Sequence, residues 1–319
     1  MHAFPCFAFA LIAIAAIWSP IEARSDTWPQ RTVKIILPLP AGVGTDVAAR
    51  LFAERLSQRW RQGVVVENRP GVDGLAGVAS FVSSRDDHEL LFSFAGPISI
   101  NPLIYDKLPY DPDRDLIPIA SAIDNFFCVA VSSSMGVDSV GSFVEAVRNN
   151  PGKFNWAATA GLPQYIFEAL QRSAGLQLVQ VPYRDFAPAL QDFAEGRIHV
   201  VVTGPGVLLP HVKTGRAKLL MVSNRQRSPL APEVPTAAEA GFPELTFEGV
   251  VGFYGRRDMP VPLRDQIAED VRAVGADPTV VSRLRDIGIA VRTGTPAEFS
   301  SAIAEQAKKV REIVAATKR

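Results

Sequence analysis

The sequence predicts an α/β protein with two core-bearing domains, and three observations carry that expectation. Short apolar, β-branched runs of strand length alternate with stretches of helical periodicity, the pattern of βαβ units around a mostly parallel sheet. Several runs open directly into glycine- and proline-bearing loops, as at Gly42-Val43-Gly44, Gly96-Pro97 and Thr203-Gly204-Pro205-Gly206. The 319 residues, 47% of them hydrophobic, are enough for two separate cores.

Lys+Arg equals Asp+Glu at 33 each, so the charge balance points to no nucleic acid or other polyanion as partner. The 25 prolines, spread along the chain, suit many short and sharply punctuated elements. Residues 1–25 read as a cleavable export signal. Phe7 to Trp18 is an apolar run too short to span a bilayer, Ser19-Pro20 breaks it, and Ile21-Glu22-Ala23 or Ala23-Arg24-Ser25 offers a small-residue cleavage site. Cys6 precedes that run and is therefore not placed as an acylated lipoprotein cysteine. Cleavage leaves Cys128 alone, so no internal disulfide is expected.

The stretch Ile35 to Arg50 organises the chain. Val33, Ile35, Ile36 and Leu37 form a strand apolar enough to be buried on both faces, ended by Pro38 and Pro40. Gly42 and Gly44 allow backbone angles closed to other residues. Thr45 or Asp46 then caps a helix whose apolar face holds Val47, Leu51, Phe52, Leu56 and Trp60. Strand, glycine turn and helix N-terminus present free amides and a dipole that favour an anion. The same spacing also fits a plain tight βα connection. It is neither a phosphate loop nor a dinucleotide fingerprint, because no Gly-Lys-Ser/Thr follows and a third glycine is missing.

Further along, Val64 to Asn68 is a strand ended by Pro70-Gly71, and Leu90 to Phe94 is a strand opening into Ala95-Gly96-Pro97. Phe126 to Val131 is a strand crossing into a second domain. There, helices at Ser142 to Asn149, Gln164 to Ser173 and Ala187 to Glu195 alternate with strands beginning at Asn155, Leu178 and Ile198. Leu219 to Ser223 begins the return to the first domain and Phe247 to Tyr254 completes it. Three helices close the chain, the last opened by the capping box Thr295-Pro296-Ala297-Glu298.

No constellation for catalysis emerges. His88, His199 and His211 stand apart, no His-x-x-x-His or Cys-x-x-Cys spacing supports a metal, and no Gly-x-Ser-x-Gly elbow is present. Cys128 follows two phenylalanines in a strand and reads as core, and Asp111, Asp113 and Asp115 among prolines read as a solvated turn. Neither an enzyme, a metal site nor a cofactor is expected.

The run Ile36 to Asp46 resembles the opening loop of the tripartite tricarboxylate transporter substrate-binding proteins, the Bug family. Val66-Glu67-Asn68-Arg69-Pro70-Gly71, Leu108-Pro109-Tyr110-Asp111-Pro112, Val181-Pro182-Tyr183-Arg184 and Glu233-Val234-Pro235-Thr236 match further signatures in the family's order, from about Trp28 to the C-terminus. The resemblance implies a type II periplasmic binding protein: two α/β lobes joined by a hinge of crossing strands, a small organic carboxylate enclosed between them, and a membrane permease of one large and one small subunit as partner. Residues 26–125 and 246–319 would form one lobe and 126–245 the other, in a monomer. A periplasmic sensor that signals to a membrane receptor without transport is the alternative.

Mapped onto this sequence, the resemblance places Gly42, Val43, Gly44, Thr45 and Asp46 at the ligand from lobe one, with Gly96 and Pro97 walling the same side. Ala158, Thr159, Gly161 and Gln164 face them, Tyr183 and Arg184 close the cleft, and Thr203 lies beyond the Ile198 to Val202 strand. Val43 stands where the family has a glycine, Gln164 where a histidine is common and Thr203 where an aspartate is frequent. With that acid gone and Tyr165, Phe167 and Phe186 nearby, an apolar or aromatic carboxylate is favoured over one bearing an amino group. The aromatics equally suit the core.

Overall fold

The computed structural model describes residues 28–318, apart from 95, 160–161, 184–185 and 229–230. The export signal expected at residues 1–25 lies outside the described residues. Strands β1 (Val33–Leu37), β2 (Val64–Asn68), β3 (Glu89–Ser93), β4 (Leu116–Asn125) and, from much later in the chain, β10 (Gly249–Arg256) form one sheet in the order β2-β1-β3-β10-β4. A second sheet, β7-β6-β8-β5-β9, is built from β5 (Cys128–Ser132), β6 (Asn155–Ala158), β7 (Val179–Gln180), β8 (Val200–Thr203) and β9 (Ala217–Val222). The chain thus forms two α/β lobes. Val33, Ile35, Ile36 and Leu37 of β1 are fully buried, as a strand covered on both faces requires.

The expected mostly parallel sheets are mixed. β1 runs parallel to β2 and β3, and β6 parallel to β7 and β8, but β10 is antiparallel to both its neighbours and so is β5. Each sheet therefore holds one reversed strand, and in each it is the strand by which the chain arrives from the other sheet. β4 leaves its sheet at its carboxyl end, so β5 enters the second sheet from the side that faces the first and must run away from it. β10 does the same in return. The other strands all end towards the space between the lobes.

The two crossings lie side by side and are joined at Ser223. Its amide donates to the Phe127 carbonyl (2.9 Å) and its Oγ accepts from the Phe127 amide (3.0 Å). Its Oγ donates to the Phe247 carbonyl (3.0 Å), while the Phe247 amide donates to its carbonyl (2.7 Å). The Phe127 and Phe247 rings stack at 5.8 Å. The return was expected to begin at Leu219. Instead β9 pairs with β5 through Val222, and the chain leaves only after Ser223.

The helix Pro296–Lys318 spans both cores. Its start is the expected capping box: the Thr295 amide donates to Glu298 Oε2 (2.8 Å) and the Glu298 amide to Thr295 Oγ1 (3.2 Å). Phe299 packs on Tyr254 of β10, at 5.0 Å between rings, whereas Val310, Ile313 and Val314 are buried in the second lobe's core with Trp156 and Phe167. Between them, buried Gln306 accepts from the Val250 amide (3.1 Å) and donates to Ser99 Oγ (2.9 Å). A helix at Pro205–Lys213 starts within the Thr203-Gly204-Pro205-Gly206 stretch that was expected as loop. Gly204 stands at its N-cap and Pro205 in its first turn, where a missing amide hydrogen costs nothing.

Gly252 of β10 lies under Phe299 of the last helix. An added Cβ would strike the Ala120 carbonyl oxygen and the Phe299 ring. Gly252→Ala should cost about 1–3 kcal/mol in urea unfolding, the range of overpacking. Gly141→Ala, in the helix Val140–Arg148 with only Ser139 Oγ near at 3.9 Å, should be neutral or stabilise by up to about 1 kcal/mol.

Candidate functional site

A cleft of about 640 Å³ lies between the lobes, at the carboxyl ends of the strands. That is where ligands sit in open α/β sheets. One wall comes from the loops after β1 (Leu39, Val43, Thr45), β2 (Pro70, Gly71, Asp73, Gly74) and β3 (Phe94, Gly96, Asn101). The other comes from Thr159 after β6 and from Leu162, Pro163, Gln164 and Tyr165. The floor is the crossing, at Asn125 and Phe127. A larger groove of about 890 Å³ runs between the proline-rich segment around Tyr110 and the last helix. It is lined by charges of both signs and lies at the far end of the first sheet, where β4 begins and the reversed β10 ends, so the interlobe cleft is the candidate.

The loop after β1 is shaped by Asp46. The helix begins at Gly44, with Val43 at the N-cap making no side-chain cap, so neither Thr45 nor Asp46 caps it as expected. Asp46 lies instead in the first turn, 3% exposed, and reaches back to accept from the Gly42 amide (2.9 Å). It also accepts from Arg50 Nε (3.0 Å) and Asn68 Nδ2 (2.9 Å), tying the loop to the end of β2. Burial pushes its carboxyl up, and the hydrogen bonds from Arg50, the Gly42 amide and Asn68 outweigh that to hold it below its ordinary value. Gly42 has a φ of +87°, which glycine alone adopts freely. Gly44 has no such angle; a Cβ there would sit 3.0 Å from Ile289 Cδ1, so its role is close approach. Val47, expected on the buried face, is 41% exposed.

Few amides of this loop are free. The Gly42 amide is spent on Asp46 and the Asp46 amide on the Val43 carbonyl (2.9 Å). The Gly44 and Thr45 amides have no partner among the described residues. Across the cleft, the Thr159 amide is spent on the Val202 carbonyl (3.2 Å). Three helix N-termini converge here: Gly44–Trp60 through Thr45, Leu75–Ser83 through Gly74, and Leu162–Ala174 through Leu162 to Tyr165. No Lys, Arg or His occurs among the described lining residues. The positive potential of the cleft is that of helix dipoles and amides.

Of the residues expected at a ligand, Val43, Thr45, Gly96, Thr159 and Gln164 line the cleft. Gly42, Gly44 and Asp46 stand behind the first two. Pro97 is buried, its carbonyl accepting from the Tyr110 hydroxyl (2.9 Å). Ala158 ends β6, half-buried. Tyr183 packs in the second lobe with its hydroxyl donating to Asp192 (2.6 Å), and Thr203 is buried in β8 opposite Cys128. Gly161 and Arg184 lie outside the described residues. Of the aromatics, Tyr165 lines the cleft, Phe167 is fully buried and Phe186 packs, partly buried, against the second lobe's cluster around Phe193.

Sequence reasoning missed Leu39, Gly71, Asp73, Gly74, Phe94, Asn101, Asn125 and Phe127. The Pro70-Gly71 turn and the last residue of the Leu90 to Phe94 run were available signals for two of them, Gly71 and Phe94. Asn125 and Phe127 carried none, because their place follows from the crossing.

No nucleophile and base face each other in this lining. Burial pushes the Cys128 thiol up to about 12, as suits a core residue. Asp86, Asp87 and His88 bring three potential metal-ligand atoms within 4.8 Å of one another. Arg31 already bridges the two carboxylates at 2.6 and 2.8 Å. His88 Nε2 accepts from the Gln30 amide (3.1 Å) and its Nδ1 lies 2.7 Å from Asp87. Their polar atoms thus serve to seat the start of β1.

Asp46→Ala should cost about 1–3 kcal/mol, because it leaves the Gly42 and Asn68 donors and Arg50 without their acceptor. The Asp46 carboxyl is lowered by folding, so its contribution is complete above its ordinary value of 3.8 and is lost as pH falls through the lower folded value. Urea midpoints of wild type and variant should therefore separate at neutral pH and converge below that range.

The family model described as "Tripartite tricarboxylate transporter family receptor" matches residues 48–318. Protein BugT of Bordetella pertussis is 31% identical over 238 residues, 73% of this chain and 72% of its own. Among solved structures, R. palustris Rpa4515 with adipate has a TM-score of 0.82 at 26% identity, covering 91% of this chain and 98% of that one. The periplasmic binding protein BugD shares the fold, at a TM-score of 0.78 and 24% identity over 91% of this chain and 99% of its own. The two lobes, the crossing between them and the cleft at the strand ends are thus those of a periplasmic binding protein, and the chain belongs to the tripartite tricarboxylate transporter receptor family, the family of the Bug proteins.

Proposed function

We propose that this protein captures a small organic carboxylate between its lobes in the periplasm and delivers it to a membrane permease of one large and one small subunit. The observation that carries this reading is the convergence of three helix N-termini on a cleft without Lys, Arg or His among its described lining residues. Amides and dipoles favour a compact anion such as a carboxylate, and the walls of Phe94, Phe127 and Tyr165 suit a carbon skeleton. Adipate in the related Rpa4515 is a ligand of that class. In this reading residues 26–125 and 246–319 act as one lobe and 126–245 as the other. They close about the crossings at Phe127 and Phe247 when ligand favours the closed state.

A thermal-shift screen of the purified protein against aliphatic, aromatic and amino-substituted carboxylates tests it. A ligand at a hundred times its dissociation constant adds about 2.7 kcal/mol of stability, so a raised midpoint is expected for at least one acid. No shift with any carboxylate overturns the reading. Delivery is tested by deleting the gene and following uptake of the acid that binds. Uptake falls if the protein is a carrier and is unchanged if it only senses.

A further inference from the structure

Asp73 is the one charged side chain among the described residues that line the cleft. It belongs to a loop built at conformational cost, with Gly71, Asp73 and Gly74 at φ +144°, +53° and +81°. Two donors hold it there. Asn101, itself 1% exposed, donates from Nδ2 to the Asp73 carbonyl (3.0 Å), and the Tyr105 hydroxyl donates to Oδ2 (2.7 Å). Oδ1 has no hydrogen-bond partner and the carboxylate no ion-pair partner among the described residues. The carboxylate is thus fixed in place with one acceptor left over. Its neighbour across the cleft is Tyr165, whose hydroxyl is pushed up by burial, by Glu168 and by Asp73.

We propose that Asp73 sets the charge at the ligand's second pole, accepting from an ammonium group on a monocarboxylate and turning away a second carboxylate. The proposal rests on the carboxylate reading of the cleft. The rest of the described lining is neutral, so a ligand's first carboxylate finds amides and helix N-termini while any further group near the β2 loop meets a fixed negative charge. Like charges at that range repel, and a donor gains both attraction and a hydrogen bond. The expectation drawn from Thr203, that the missing acid disfavours an amino group, does not bear on this cleft. Thr203 is buried in β8 outside the lining, and the acid is supplied from the other lobe.

Calorimetric titration with matched series tests the proposal: hexanoate, 6-hydroxyhexanoate, 6-aminohexanoate and adipate, with the corresponding four-carbon acids and benzoate, 4-aminobenzoate and terephthalate. In wild type the amino acid of a series that binds should be at least about tenfold tighter than its dicarboxylate, with the hydroxy acid between. Asp73→Asn should remove that preference, as should Asp73→Gly, which suits the same backbone angle if the asparagine variant folds poorly. Tyr105→Phe removes the positioning bond but not the charge, and should keep the preference. An unchanged ratio in both Asp73 variants overturns the proposal while leaving the carboxylate reading intact. If no acid of any series binds wild type or variants, the carboxylate reading fails and this proposal with it.

Discussion

The arrangement depends on β10. This strand arrives from the second lobe, runs against its neighbours and fills the place between β3 and β4. Without it the first sheet is two fragments, β2-β1-β3 and a lone β4, each with a buried edge of unpaired amides and carbonyls. Leaving such groups unpaired in a core is costly, so the first lobe is complete only when the chain has crossed to the second and come back. β10 also receives the last helix, through Phe299 packed on Tyr254 and Gln306 bonded to Val250.

The location of the cleft follows from the same constraint. Because both crossings are made on one side, every strand except the two reversed ones ends on that side, and the helices that follow begin there. Helix N-termini are thereby gathered around one space, whose positive potential comes from backbone geometry with no cation among its described lining residues. Asp46 illustrates the division of labour. Its charge opposes an anion, but it is turned inward, spent on Gly42, Arg50 and Asn68, and so shapes the loop that lines the cleft through Val43 and Thr45.

Asp73 stands in contrast. It is the carboxylate left with a vacant acceptor and a position fixed by Asn101 and Tyr105. The two acids follow adjacent strands of one lobe, Asp46 in the first turn of the helix after β1 and Asp73 in the loop after β2, and what separates their roles is burial. Asp46 is 3% exposed and saturated, whereas Asp73 is open to the cleft.

Local pattern determined much of this protein. The β-branched run of β1, the glycine turn at Gly42 and the capping box at Thr295 depend on neighbours within a few residues, so they are legible in the chain, as are the alternation of strands with helices and the signatures of the family. Tertiary structure decided the rest. The reversal of β5 and β10 comes from the side on which the chain enters each sheet, which no local window contains. The start of the helix at Gly44 comes from Asp46 bonding to the end of β2, and the burial of Thr203 and Tyr183 from packing within the second lobe. Phe127 and Asn125 reach the cleft because the crossing forms its floor, and Asp73 is aimed by an asparagine and a tyrosine from another loop. Contacts between residues distant in sequence set these positions, and they exist only once both sheets have closed.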